Sequence, residues 1–91
     1  MEFDFNEEKN ELLNEKRGIT FQEIIEAIVT NGVLLNIKHP NEDKYPDQWM
    51  MVVNFNDYTY CVPYVVKGET WFLKTIYPSR KFLYLIGVEG D

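Results

Sequence analysis

The spacing of hydrophobic and polar positions changes period along the chain. Phe3 and Phe5 alternate with Glu2 and Asp4, which predicts a short extended entry. Asn6 followed by Glu7 and Glu8 has the order of a helix N-cap and an acidic first turn. That helix is expected to run to about Arg17, with Lys16 and Arg17 at its cationic end and Gly18 as terminator. Its apolar side is thin, Leu12 and Leu13 with Phe5, so it should lie on the surface. Thr20 and Glu23 form the T-x-x-E capping pattern. Phe21, Ile24, Ile25 and Ile28 follow at helical spacing, and Asn31-Gly32 ends this second, amphipathic helix.

From Val33 the period shortens. Residues 33–38 are apolar and β-branched enough for a strand, and His39-Pro40-Asn41 stops it. Residues 41–47 read as a polar loop. Residues 48–55 and 58–66 read as strands joined by a tight Asn56-Asp57 turn. Pro63 cannot donate to a ladder, which predicts an edge or a bulge at that point. After Lys67-Gly68-Glu69, residues 70–77 are predicted as a fourth strand. Trp71, Leu73, Thr75 and Tyr77 would share one face, and Phe72, Lys74 and Ile76 the other. Ser79 is placed to cap a final element. Residues 82–86 have the aromatic and branched content of a strand but the position of a short helix. The order predicts an α+β domain, with two N-terminal helices packed on a mainly antiparallel four-stranded sheet.

Composition narrows the class. Ninety-one residues make a single domain, 1–91, and 45% hydrophobic content with 15% aromatics is enough to offset chain entropy. The apolar runs fall far short of the roughly 20 residues a membrane span needs, so no membrane association is expected. MEFDFNEE has neither the basic start nor the apolar stretch of a secretory leader. Cys61 is the one cysteine and reads as a small buried hydrophobe. Together these predict a cytoplasmic protein. The net charge of −6 is unevenly spread. Residues 1–26 carry eight acids against three bases, whereas residues 67–91 carry three acids against four bases. An acidic chain repels nucleic acid at long range, so any RNA contact must come from a local patch.

Candidate chemistry is sparse. No P-loop, GxGxxG, HExxH or GxSxG pattern occurs, and one His with one Cys does not build a zinc site. Neither a metal nor a cofactor is expected. The segment TWFLKTIYPSRK delivers Ser79, Arg80 and Lys81 to the end of a strand. It reads either as a solvated turn or as an anion site. Lys16-Arg17-Gly18 reads either as cations complementing a helix C-terminus or as a phosphate contact. His39 is either a plain loop histidine or a general acid or base. Tyr45, Tyr58, Tyr60, Tyr64, Tyr77 and Tyr84 suit a sheet, and those near Arg and Lys also suit base stacking.

Two segments together resemble a known family. FDFNEEKNELLNEKRGITF is similar to the opening of BrnT-type toxins, through Phe5, Asn6, Lys9, Lys16, Arg17, Gly18, Ile19, Thr20 and Phe21. KTIYPSRK is similar to the family's last strand, with Arg80 followed by the second base Lys81. The resemblance spans most of the chain and implies a RelE-like ribonuclease, the toxin of a bacterial type II toxin–antitoxin module. It implies metal-independent RNA cleavage by attack of a ribose 2′-hydroxyl on the adjacent phosphate. Arg80 would stabilise the phosphorane charge, and Lys81, Lys16 and Arg17 would hold phosphates. His39 or Tyr77 would move protons, and Tyr77 or Tyr84 would stack on bases. Lys9 and Ser79 complete the implied RNA contacts. The implied partner is a cognate antitoxin, a ribbon-helix-helix DNA-binding protein, in a hetero-oligomer or beside a homodimer. The chain departs from the pattern at Arg17, where a His is usual, at Asn6, where an acid is usual, and in its apolar segment FLYLIG. The competing reading is a non-catalytic module of the same fold that binds a partner protein.

Overall fold

A computed structural model describes residues 2–88. The Asn6 side chain accepts from the Lys9 N–H and starts helix α1, Glu7–Arg17. Gly18 closes it at φ 65°, a left-handed conformation that costs glycine little. Thr20 and Glu23 bond reciprocally and start α2, Phe21–Asn31. Asn10, buried in α1, ties the helices together. Its amide oxygen accepts the Phe21 N–H at 2.7 Å, and its amide nitrogen donates to Gln22 at 2.8 Å.

The strands are β1 (Glu2–Phe5), β2 (Leu35–Lys38), β3 (Trp49–Phe55), β4 (Tyr58–Lys67), β5 (Thr70–Leu73) and β6 (Tyr77–Pro78), followed by a 3-10 helix, Arg80–Ile86. The fold is α+β. The sheet order is β1-β5-β4-β3-β2, and β6 continues the path of β5 along β4. Asn56 and Asp57 both take positive φ, 52° and 58°, so the β3–β4 turn has the twist that matches its strands.

Three features correct the sequence expectation. First, the entry segment is a full member of the sheet. β1 lies parallel to β5, with Phe5 opposite Leu73, so the sheet has six strands rather than four and carries one parallel pairing, while its other four pairings are antiparallel as expected. Aromatic contacts seat it: Phe3 meets Trp71 edge-on at 6.3 Å, and Phe5 stacks on Phe21 of α2 at 4.9 Å.

Second, the strand expected over residues 70–77 is broken. Tyr64 pairs with Leu73 and Cys61 with Tyr77, so three steps on β4 face four on its partner. This is a one-residue bulge opposite Pro63, whose missing N–H interrupts the ladder. The Pro63 carbonyl is still satisfied, accepting the Lys74 N–H at 2.8 Å. The extra residue exchanges faces beyond it. Ile76 joins Leu73 in the core under the helices, whereas Tyr77 packs on the opposite side. The expected grouping of Tyr77 with Leu73, and of Ile76 with Phe72, is therefore overturned.

Third, the final element is helical, but Ser79 makes no side-chain cap bond to it.

Each sheet face carries its own core. Under α1 and α2 lie Leu13, Phe21, Ile24, Met51, Val62 and Leu73 with their neighbours. On the other face Met50, Val52, Cys61 and Phe82 cluster, and Phe82 anchors the 3-10 helix there. Among the described residues, no helix is long and apolar enough to cross a membrane.

Candidate functional site

The bulge decides where the basic segment goes. Beyond it, β6 pairs only with β4 among the described residues. Ser79 is then held to β4 by two bonds. Its N–H donates to the Thr59 carbonyl at 2.9 Å, and its own carbonyl accepts the Thr59 hydroxyl. Thr59 is fully buried and Ser79 half-buried, so the Thr59 side of this clamp is shielded from water. It sets the start of the 3-10 helix, from which Arg80 and Lys81 project exposed. Replacing Thr59 by the near-isosteric Val removes the hydroxyl and leaves a carbonyl underbonded. A loss of about 1–3 kcal/mol is expected in urea denaturation. A loss below about 0.5 kcal/mol would show that the clamp contributes little.

Arg17 reaches this segment from the helix layer. Its guanidinium Nη1 donates to the Ile76 carbonyl within the strand break. The end of α1 and the strand leading into Tyr77-Pro78-Ser79-Arg80-Lys81 are thus joined directly, across 59 residues of sequence. The neighbouring bases do not all follow. Lys9 and Lys16 flank Leu12 and Leu13 in a small groove on α1, which Arg17 also lines. That groove belongs to the helix layer, whereas Lys81 lies on the opposite layer with the 3-10 helix.

On that opposite layer Tyr77, Ser79 and Lys81 converge on Cys61. Tyr77, Ser79 and the Lys81 ammonium lie near enough to the thiol to act on it electrostatically. The Tyr77 hydroxyl also donates to the Met50 thioether at 3.4 Å. Burial pushes the Cys61 thiol above its ordinary value, and these three neighbours offset part of the rise. Burial also pushes the Tyr77 phenol up, with Cys61 and Tyr45 adding to the effect. Tyr77 is therefore protonated near neutral pH and can donate a proton rather than accept one. Tyr84 is 62% exposed on the 3-10 helix.

His39 stands further off. Its ring packs against Tyr45 at 4.5 Å, and Tyr45 in turn lies within electrostatic reach of Tyr77. The His39 Nδ1 accepts the Asn41 N–H at 3.1 Å, which leaves Nε2 to carry the proton of the neutral ring. No family model, curated protein or solved structure matches the chain.

Of the nine sequence-predicted residues, Tyr77, Ser79, Arg80 and Lys81 share one segment, and Arg17 touches it. Lys9 and Lys16 remain on the helix layer, His39 is linked only through aromatic rings, and Tyr84 stands exposed on the 3-10 helix. Sequence reading missed the Thr59 clamp and the gathering of Tyr77, Ser79 and Lys81 around Cys61. Pro63 was the signal for both, because the bulge it imposes turns Tyr77 onto that face.

Alkaline pH probes the buried groups. The ordinary values are 9.0 for the thiol and 10.0 for a phenol, and Cys61, Tyr64 and Tyr77 are all raised, chiefly by burial. The folded state then holds these protons more tightly than the unfolded chain. Their stabilisation is complete below the ordinary values and is lost as pH rises through them toward the folded values. Tm is expected to fall between about pH 8 and pH 10.5, and to fall less in Tyr64→Phe. An identical fall in that variant would remove Tyr64 as a contributor.

Proposed function

We propose that the protein is the toxin of a bacterial type II toxin–antitoxin module, a RelE-like endoribonuclease of the BrnT kind. The observation that carries this reading is the bond from Arg17 to the Ile76 carbonyl. It brings Arg17, at the end of α1, to Ile76, which leads into Tyr77, Ser79, Arg80 and Lys81. Arg17 and Ile76 lie in the two segments in which the sequence resembles that family. Two helices preceding a β-meander are also consistent with it.

In this reading the 2′-hydroxyl oxygen attacks the adjacent phosphorus and gives up its proton to water. The bond from phosphorus to the 5′ oxygen breaks, and that oxygen takes a proton, leaving a 2′,3′-cyclic phosphate. Arg80 and the free N–H groups of Arg17 stabilise the added negative charge at phosphorus. Lys81 holds a flanking phosphate. Tyr77, kept neutral by burial, serves as a donor to the leaving oxygen. The partner is an antitoxin that covers this face.

The test is expression in a bacterial host without the antitoxin, together with incubation of purified protein with RNA, with and without ribosomes. Growth arrest and RNA ending in cyclic phosphate are expected. Intact RNA in both assays, with normal growth, would defeat the proposal. The competing reading, a non-catalytic binding module, is favoured by the division of Lys9 and Lys16 from Lys81 between two layers and by the net charge of −6. That reading predicts normal growth and no cleavage.

A further inference from the structure

The β-sheet ends in a step. The β3–β4 ladder stops at the pair Trp49–Tyr64, whereas β4 continues beside β5 to the pair Lys67–Thr70. Among the described residues, β4 therefore has a neighbour on one side only over Val65, Val66 and Lys67. The Lys67–Thr70 pair closes the tight turn at Gly68-Glu69, so Lys67 directs its backbone groups toward β5. Alternation along the strand then turns the N–H and C=O of Val66 to the open side. Val66 is 49% exposed.

A cleft of about 600 Å³ lies along this step, lined by Lys38, Trp49, Val66, Lys67 and Lys74 with Asp47 as the one opposing charge. It gathers three of the nine bases of an acidic chain, and none of them belongs to the site above. Aromatic rings hold these ammonium groups. Lys38 Nζ lies 5.2 Å from the Trp49 ring centre, and Lys67 and Lys74 lie 5.6 and 5.4 Å from that of Phe72.

We propose that this step is a docking site for an extended acidic segment of a partner protein. The segment would pair its backbone with Val66 and set its carboxylates against Lys38, Lys67 and Lys74. Three features select a peptide over single-stranded RNA. The backbone groups of Val66 match a strand. The lysines already occupy faces of Trp49 and Phe72 on which bases would stack. The short unpaired edge suits β-strand addition, in which main-chain bonds give affinity and side chains give specificity. The inference does not depend on ribonuclease activity.

The probe is a fluorescein-labelled acidic peptide, about eight residues long, with Glu at both odd and even positions so that carboxylates reach Lys38 on one face of the step and Lys67 and Lys74 on the other, followed by anisotropy with the full chain at about 50 mM salt. Binding is expected, weakened about tenfold or more in the triple variant K38A/K67A/K74A, since each exposed ion pair contributes modestly and three are removed. A probe N-methylated at alternate amides is expected to bind more weakly. Arg80→Ala is expected to bind as the wild type does, while the triple variant keeps any RNA cleavage. Circular dichroism checks that the triple variant is folded. The proposal is overturned if the acidic peptide does not bind, if the triple variant binds it equally, or if N-methylation has no effect. It is also overturned if an oligouridylate of equal length binds in the peptide's place and is lost with the three lysines.

Discussion

Phe21→Ala is expected to lower the folding stability by about 3–5 kcal/mol, the range for deleting a buried aromatic ring. Phe21 has no exposed surface, stacks on Phe5 at 4.9 Å, and opens α2 immediately after its capping residue. Its backbone N–H is also held by the buried Asn10 side chain. Four elements thus meet at this ring: α2 directly, β1 through Phe5, α1 through Asn10, and the sheet through the core it shares with Met51 and Leu73. Small domains have total stabilities of about 5–15 kcal/mol, so the loss is a large share of the whole. Urea denaturation followed by circular dichroism measures it. A loss under about 1 kcal/mol would mean that the site collapses around the vacancy and that β1 is not anchored through this stack.

Arg80→Ala is expected to have the opposite profile. Arg80 is exposed, so its removal should change stability by no more than about 0.5 kcal/mol. If it stabilises the charge that develops at phosphorus, cleavage should fall about 10²- to 10³-fold, the range for losing one donor to a transition-state oxyanion. Growth arrest should be relieved accordingly. Arg80→Lys keeps the charge but loses the planar fork, and it should recover only part of the rate. Equal cleavage by wild type and Arg80→Ala would remove Arg80 from the chemistry. A large stability loss would show that it holds the 3-10 helix instead.

Local signals were legible where local energetics decide the outcome. Asn6 and Gly18 bound α1, and Thr20, Glu23 and Gly32 bound α2, because caps satisfy backbone groups within one turn of themselves. Asn56-Asp57 marked its hairpin because its positive φ angles match the strand twist. The α+β class followed from those elements. At the candidate site, the sequence identified the Tyr77–Lys81 segment and the basic end of α1 but not their relation.

That relation belongs to the tertiary structure. β1 joins the sheet through a parallel pairing with a strand 68 positions away, which no local pattern encodes. Pro63 announced an edge or a bulge, but not that a bulge would fall in the neighbouring strand. One extra residue there sends Ile76 toward the helices and Tyr77 toward Cys61, because side chains alternate with a period of two. The same displacement opens the carbonyl of Ile76 to Arg17. The lysines of the sheet step are scattered in sequence at positions 38, 67 and 74, and only the end of β3 brings them together. The sequence by itself determined the two helices with their caps and the β3–β4 hairpin. The packing of those elements decided which charges share a surface, because that depends on register and on where a ladder stops.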